Sequence, residues 1–222
     1  MIVGNGLIAK SFNKTEKNSL IFASGVSSSS ELDNYQFQKE INLLNKVLKD
    51  YPNKKLIYFS TVMSNFEDSL YCKHKRFLES YIFDNVKNFL IFRLPQVVGN
   101  GGNKTNLFNY IINTSSKNLD INVYKNIKRS FIDVSDVSKI VSYCDKFEIN
   151  KIINIVGIEE LDIVDIVKII LEKIRSKSKI NIIENHNKKN HNLENCNIVD
   201  LAIKNCNIFR DEYTSTLLDK YI

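Results

Sequence analysis

Apolar residues along this chain follow two patterns. Short continuous apolar runs predict buried strands, and stretches in which apolar residues return every three or four positions predict helices with one buried face. The clearest helical stripe consists of Phe37, Ile41, Leu44 and Leu48. Strand and helix patterns follow one another along the chain. The predicted strands are 1–4, 19–23, 56–59, 89–92, 121–124, 152–156 and 180–183, and the predicted helices are 7–13, 35–49, 71–83, 106–113, 137–143 and 162–174.

The composition is that of a soluble globular protein with one large domain, or one domain and a small lobe. The chain has 222 residues, of which 43% are apolar and 25% are charged. A net charge of +6 is compatible with nucleic-acid binding. The lysines are scattered, however, and no block of Lys and Arg occurs. We therefore expect no nucleic-acid partner, and only some benefit for anionic substrates.

The four cysteines, Cys72, Cys144, Cys196 and Cys206, form no C-x-x-C pair. This pattern predicts reduced thiols and a cytoplasmic setting. The opening residues lack the basic and apolar regions of a signal peptide, and no apolar run has the length of a membrane span. No membrane partner is therefore expected.

A polar stretch at 185–197 contains His186, His191 and Cys196. Three possible zinc ligands suggest a metal site, but their spacing matches no known zinc pattern and their neighbours are Asn and Lys. We interpret the stretch as a polar loop and expect no metal.

The segment 55–80 carries the most specific chemistry. Its strand ends in Ser60 and Thr61, and Tyr71 and Lys75 follow on one face of the next helix. Free tyrosine has a pKa near ~10, and a neighbouring ammonium is expected to lower it. Such a tyrosine can exchange a proton with a carbinol oxygen during hydride transfer, while Thr61 or Ser60 holds the same oxygen. The alternative is an ordinary amphipathic helix with a surface Tyr and Lys.

These residues resemble the catalytic set of the extended short-chain dehydrogenases/reductases that act on nucleotide sugars, the NAD-dependent epimerase/dehydratase family. Three further segments match in order: GNGLIA at 4–9 resembles the phosphate loop, RLPQVVG at 93–99 the R-x-x-N-V-Y-G segment, and RSFIDVSDV at 129–137 the R-D-F-I-H-V-D-D-V segment. The resemblance implies an α/β fold with an abbreviated Rossmann-type, doubly wound parallel sheet and a small C-terminal substrate lobe. The core would be mainly 1–99 and 131–174, and the lobe mainly 100–130 and 175–222.

The resemblance also implies roles for individual residues. Tyr71 would be the acid/base, Lys75 would lower its pKa and bind the nicotinamide ribose, Thr61 and Ser60 would orient the sugar oxygen, and Asn42 would join a proton relay. The implied cofactor-binding residues are Gly4, Asn5, Gly6, Leu7, Ile8, Ala23, Ser24, Gly25, Lys75, Leu94 and Pro95, and the implied substrate-binding residues are Gln96, Asn103, Lys104 and Arg129. A surface role is the alternative for Arg129. Asp133 and Asp136 are expected to cap a helix rather than act as acids.

One element of a dinucleotide fold is not evident. An Asp or Glu usually follows the first glycine by ~20 residues and holds the ribose. That position is Ser24, and no acid occurs between Glu16 and Glu31. Strand 19–23 resembles the family's fourth strand, so strands two and three are predicted to be missing and strand one to lie at or near the sheet edge. The alternative is a true second strand with serines near a ribose phosphate.

The resemblance favours reduction of a 4-keto group or 4-epimerisation of a nucleotide sugar in surface polysaccharide biosynthesis, with NAD or NADP. Val62-Met63 stand where 4,6-dehydratases place Asp-Glu, which disfavours dehydration, and no extra acid/base for a 3,5-epimerase is evident. A non-catalytic Rossmann-like nucleotide- or nucleotide-sugar-binding protein is the alternative. A homodimer is implied, with Phe37, Phe77, Leu78 and Tyr81 supplying apolar contacts.

Overall fold

A parallel five-stranded sheet lies at the centre of the computed structural model, which describes residues 1–13, 15, 17–26, 28–101, 106–184 and 194–222. The strands are β1 (Ile2–Val3), β2 (Ser19–Phe22), β3 (Lys55–Thr61), β4 (Phe89–Leu94), β5 (Gln96–Val98), β6 (Ile121–Tyr124), β7 (Lys128–Asp133), β8 (Lys151–Asn154), β9 (Glu160–Asp162) and β10 (Ile180–Ile183). The helices are α1 (Leu7–Ser11), α2 (Asn34–Asp50), α3 (Leu70–Asn85), α4 (Leu107–Ser116), α5 (Val134–Phe147), α6 (Ile163–Lys173), α7 (Asn197–Asn205) and α8 (Tyr213–Tyr221).

The central sheet has the order β1-β2-β3-β4-β8, and each neighbouring pair is parallel. Among the described residues β1 pairs with β2, with Ile2 opposite Ile21, so β1 lies at an edge of this sheet, as predicted. In the part of 7–18 that the structure describes there is a short helix and a turn but no strand. The next strand after the first glycine loop and α1 is therefore β2, which leads to Ser24.

Both faces of the sheet are covered, which explains why its strands are apolar without interruption. Leu20, Leu56 and Ile91 pack on one face with Leu44 of α2 and Ile82 of α3. Their sequence neighbours point to the opposite face, where one buried cluster continues through α5 into the carboxyl-terminal part. That cluster includes Ile21, Ile57, Phe92, Ile140, Phe131, Ile166 and Leu217. The fold is the α/β class that the resemblance implies.

Polar side chains cap the beginnings of α2, α3 and α5. Asp33 accepts from the amide of Tyr35 at α2, Ser69 caps α3, and Asp133 accepts from the amide of Ser135 at α5. Asp133 is therefore a cap, as predicted. Asp136 is not the cap, because its carboxylate accepts instead from the hydroxyl of Tyr213 on α8 at 2.8 Å.

The remaining strands lie beside the central sheet. β6 and β10 form a parallel pair, and β7 pairs in parallel with β5 and antiparallel with β9. Helix α8 is fixed to the start of α5, where Lys220 lies 2.6 Å from Asp133. No helix in the described ranges is long and apolar enough to cross a membrane.

Two of the four apolar residues predicted for a dimer interface are core residues. Leu78 is fully buried on the sheet, and Phe37 is 7% exposed because its ring packs on His74 of α3, with the ring centres 4.7 Å apart. Phe77 is 53% exposed and stacks on Tyr81, so these two remain available on the outer surface of α3.

Candidate functional site

The carboxyl ends of the parallel strands bring the predicted site segments to one edge of the sheet. β1 leads to Gly4, β2 to Ala23, β3 to Thr61 and β4 to Pro95. Ligands of open α/β sheets bind in the crevice outside these ends. The topology therefore collects the predicted phosphate loop, the Ser24 segment and the catalytic segment in one region.

The phosphate-loop residues are exposed at this edge. Gly4 has φ of +121°, and a Cβ there would lie 2.3 Å from the carbonyl oxygen of Ala23, so only glycine fits. Gly4, Asn5 and Gly6 are exposed, and Leu7 and Ile8 are half-buried. The loop fits the close approach of a pyrophosphate. However, α1 has only five residues, because Phe12 turns into the core, so its dipole adds little.

The segment after β2 packs directly on Lys75. Ala23 and Ser24 are half-buried, and a Cβ on Gly25 would lie 2.8 Å from Nζ of Lys75 and 3.0 Å from Oε1 of Glu40. The amide of Val26 donates to Oε2 of Glu40 at 2.8 Å. This loop is therefore held over Lys75, the residue to which the family resemblance gives the role of binding the cofactor ribose.

Lys75 lies in a buried network of polar side chains. Its Nζ donates to Oε1 of Glu40 and to the hydroxyl of Tyr58, both at 2.9 Å, and to the carbonyl oxygen of Phe59 at 3.4 Å. Tyr58 donates to Glu40 at 2.7 Å, and Nε2 of His74 lies 3.0 Å from Oε2 of Glu40. Lys75 and Glu40 are each 2% exposed. The cation and the carboxylate are thus paired out of contact with water.

Burial and pairing act in opposite directions on this ion pair. Burial by itself would raise the pKa of Glu40, but the charge of Lys75 and the hydrogen bonds from His74 and Val26 lower it overall. Burial would likewise lower the pKa of Lys75, but Tyr58 and Glu40 raise it overall. Both groups are therefore held in their charged forms.

Lys75 lowers the pKa of Tyr71, which is the predicted direction, but its charge does not decide the net pKa of the phenol. Burial raises the pKa of Tyr71, the charge of Lys75 lowers it, and Glu40 raises it again, so that the net direction is upward. Nζ of Lys75 lies 5.7 Å from the centre of the Tyr71 ring. The lysine is next to the ring, as its helical spacing predicts, but its charge is already balanced by Glu40.

Ser60 and Thr61 have different environments at the end of β3. The Ser60 hydroxyl donates to Glu79, whose carboxylate is also bound by Arg93 at 3.0 and 2.5 Å. Ser60 is therefore committed to a buried network under the site. Thr61 is half-buried, and its Oγ1 accepts from the amide of Met63 at 3.3 Å. Its hydroxyl hydrogen remains able to point to a ligand.

Asn42 does not belong to the group around Lys75. It is exposed on α2 and accepts from the side-chain amide of Gln38 at 2.9 Å. Glu40 lies two residues earlier, about 200° around the helix, and it faces Lys75 instead. The proton relay predicted for Asn42 therefore has no support in the structure.

The predicted substrate residues are placed only in part. Leu94 is buried, Pro95 and Gln96 are half-buried, and Oε1 of Gln96 is buried without a hydrogen-bond partner among the described residues. Asn103 and Lys104 lie outside the described residues.

Arg129 is half-buried on β7 and donates to the carbonyl oxygen of Lys128 at 2.9 Å. Burial lowers the pKa of Arg129, and the charge of Glu67, on the loop before α3, raises it. Arg129 is therefore close enough to the Tyr71 segment to interact with its charges.

A metal site is not formed by the described residues. No group of three His, Cys, Asp or Glu side chains in those ranges could hold a metal ion. His186 and His191 lie outside the described residues, and Cys196 is the N-cap residue of α7.

Sequence reasoning missed Glu40, His74 and Tyr58. One signal was present, because Glu40 falls on the buried stripe of α2 between Phe37 and Leu44. An acid on an apolar stripe is almost never buried unless it is paired. Its partner could not be identified from the sequence, because Glu40 and Lys75 lie 35 positions apart.

Comparisons with known proteins define the fold. No protein-family model and no curated protein sequence matches the chain. A dTDP-glucose 4,6-dehydratase of Bacillus anthracis, in complex with NAD, matches with a TM-score of 0.71 and 13% identity over 91% of this chain and 70% of that one. A UDP-N-acetylglucosamine 4-epimerase of Methanobrevibacter ruminantium, in complex with UDP-N-acetylmuramic acid, gives a TM-score of 0.70 and 15% identity over 92% of this chain and 76% of that one.

A UDP-glucuronic acid 4-epimerase of Bacillus cereus, in complex with UDP-glucuronic acid and NAD, gives a TM-score of 0.69 and 16% identity over 91% of this chain and 73% of that one. At these identities the likeness concerns the fold. The chain has the Rossmann-type fold that these nucleotide-sugar epimerases and dehydratases share.

Proposed function

We propose that this chain is an NAD(P)-dependent enzyme that reduces a 4-keto group, or inverts a 4-hydroxyl, on a nucleotide-linked sugar. The observation that carries the proposal is the placement of Tyr71 and Lys75 on α3 beside the end of β3, in the region where the glycine loop and Gly25 also lie. The shared fold with nucleotide-sugar enzymes supports it.

The residues have distinct roles in this proposal. Tyr71 transfers a proton to or from the sugar oxygen, and Thr61 hydrogen-bonds the same oxygen. Arg129, whose planar guanidinium suits two phosphate oxygens, binds the diphosphate, and Gln96 offers its buried side chain to the sugar. The nicotinamide cofactor, when bound, supplies or accepts the hydride.

The glycine loop is free to bind the cofactor, whereas Lys75 is already hydrogen-bonded within the protein. Residues 4–8, 23–25 and 94–95 would line its site, with the exposed loop at 4–6 next to the pyrophosphate. Lys75, in contrast, is bound to Glu40, Tyr58 and the backbone of Phe59. A bond from Lys75 to a ribose hydroxyl requires that one of these contacts be released.

We also propose that the second and third strands of a complete Rossmann sheet are absent. The edge position of β1 and the short connection to β2 support this. Position 24 is a serine, so no carboxylate there binds the adenosine ribose of NAD. For the same reason, no negative charge there repels the 2′-phosphate of NADP. Calorimetric titration should show weak binding of NADH and NADPH with similar affinities. Tight binding selective for NADH would contradict the absence of these strands.

We further place the protein in the cytoplasm, in surface polysaccharide biosynthesis. All four cysteines are free, which suits a reducing compartment.

The direct test of activity uses the purified chain, NADH or NADPH, and a panel of nucleotide 4-keto-sugars, with product mass as the readout. A gain of two hydrogens identifies reduction, and an unchanged mass with altered stereochemistry identifies epimerisation. Loss of the activity in Y71F assigns it to this site. The absence of turnover with every substrate of the panel would count against the proposal.

A nucleotide- or nucleotide-sugar-binding protein without catalysis is the second candidate. The occupied hydrogen bonds of Lys75 and the five-residue α1 favour it, because both weaken the expected contacts with a dinucleotide. Calorimetry separates the candidates: a non-catalytic protein binds a nucleotide sugar as tightly without NADH as with it and shows no turnover.

A further inference from the structure

The hydrogen-bonding capacity of Lys75 is fully used inside the protein. An ammonium has three hydrogens and no acceptor. The structure gives them three acceptors, on Glu40, Tyr58 and Phe59. No hydrogen remains for the phenol oxygen of Tyr71, although the Tyr71 ring lies only 5.7 Å from Nζ.

Glu40 is satisfied to the same extent. A carboxylate has about four acceptor positions. Oε1 accepts from Tyr58 and Lys75, and Oε2 accepts from the amide of Val26 and from His74. An ionised carboxylate only accepts, so Nε2 of His74 carries the hydrogen of that bond. A buried polar network in which every group is paired is rigid and costly to open.

The titratable groups around Tyr71 lie on three elements. Helix α3 contributes Lys75, the thiol of Cys72 and the imidazole of His74, α2 contributes Glu40, and β3 contributes the phenol of Tyr58. Lys75 is the cation among them, and Glu40 lies 2.9 Å from it. The field of the carboxylate therefore opposes the field of the lysine at Tyr71, and burial of the phenol acts in the same direction as the carboxylate.

We propose that Glu40 is a positioning residue which holds Lys75 and thereby keeps Tyr71 in its phenol form, so that at neutral pH this site acts by donating a proton to a keto oxygen. This inference rests on the proposed function and selects its reductive branch. The keto carbon gains a hydride from a reduced nicotinamide, and the C=O π bond breaks. Its oxygen takes the proton of Tyr71, and the resulting phenolate is reprotonated from water.

Epimerisation has a different requirement. It begins by removing a proton from a hydroxyl, for which Tyr71 must be a phenolate at the working pH. Because burial disfavours the charged form of Tyr71 and Glu40 opposes the charge of Lys75, the phenolate is scarce at neutral pH. A 4-keto-sugar is therefore the substrate class that this protonation state suits.

The test observes Tyr71 without substrate or cofactor. The protein is labelled with tyrosine carrying ¹³C at Cζ, whose chemical shift reports ionisation, and the Tyr71 signal is the one missing in Y71F. We expect the wild-type signal to keep the phenol position through neutral and mildly alkaline pH, because burial raises the pKa of Tyr71. In E40Q the apparent pKa of Tyr71 should fall by about one unit or more, a tenfold change in the phenol–phenolate equilibrium.

Two variants control for general effects of losing a buried acid. D145N removes a buried carboxylate that is paired with Lys55 at 2.6 Å, at the opposite end of the strands, and should leave the Tyr71 titration unchanged. E40D keeps the charge and should titrate closer to the wild type than E40Q does.

An equal Tyr71 pKa in the wild type and E40Q would overturn the proposal. If E40Q does not fold, the wild type alone decides, because ionisation of Tyr71 below about pH 9 would show that Lys75 already activates it. The result is independent of turnover, so it stands or falls separately from the proposed function.

Discussion

Glu40 on α2 and Lys75 on α3 form a buried ion pair of 2.9 Å, and the backbone of Gly25 packs against both side chains. Removing one partner of a buried pair leaves the other charge uncompensated, which typically costs about 3–5 kcal/mol. E40Q should therefore lower the free energy of unfolding by an amount of this order, measured by urea denaturation. D50N, at the exposed end of α2, is the matched control and should change it by less than about 0.5 kcal/mol.

The same pair predicts how stability changes in acid. Burial opposes ionisation of Glu40, but Lys75 and His74 lower its pKa overall, below the unfolded value of about 4.3. A carboxyl with a lowered folded pKa contributes stability that is complete above the unfolded pKa and is lost as the pH falls. Urea midpoints should therefore drop between about pH 5 and pH 3, and the drop should be smaller in E40Q. An equal fall of the urea midpoint with pH in the wild type and in E40Q would contradict this role of Glu40.

Tyr71→Phe should remove the proton donor and leave the fold intact. The expected loss is on the order of 10²–10⁴ in kcat, the usual contribution of general acid/base catalysis. Y81F, nearly three turns later on the same helix, is the control, since Tyr81 stacks on Phe77 away from Lys75. Steady-state assays with the substrate found in the panel provide the measurement. Near-complete turnover in Y71F would remove Tyr71 from the chemistry.

Arg129→Ala should weaken binding of the nucleotide sugar. A charge-assisted bond to phosphate contributes about 1.5–3 kcal/mol, so we expect KM to rise by about ten- to a hundredfold with a smaller change in kcat. R210A serves as the control, because Arg210 is paired with Asp200 on the surface of α7. A KM equal to that of the wild type would exclude Arg129 from the site.

The aromatic pair of exposed Phe77 and half-buried Tyr81 on α3 predicts a homodimer. Phe77 and Tyr81 stack on the outer surface, where burial against a second copy would remove their apolar area from water. Light scattering at micromolar concentration should give twice the chain mass, and F77E should give the monomer. F209E changes a phenylalanine that is 84% exposed in the carboxyl-terminal part and should leave the dimer intact. A monomeric wild type would refute this prediction.

Local patterns in the sequence determined most of the fold and part of the site. The uninterrupted apolar runs predicted β2, β3 and β4, because a strand covered on both faces has no solvent side on which polar residues could lie. The four-residue spacing of Tyr71 and Lys75 placed them side by side, because it corresponds to about one helical turn. The polar caps at Asp33, Ser69 and Asp133 follow from the same local chemistry.

Tertiary packing decided which charges act in the site. Lys75 meets Glu40, 35 positions away, only because the neighbouring strands β2 and β3 bring α2 and α3 together. The phase of α2 then turns Glu40 inward and Asn42 outward. The direction of the Tyr71 pKa depends on burial and on this pairing together. Desolvation and Coulomb energies depend on distances through space, which a linear pattern of residues does not contain.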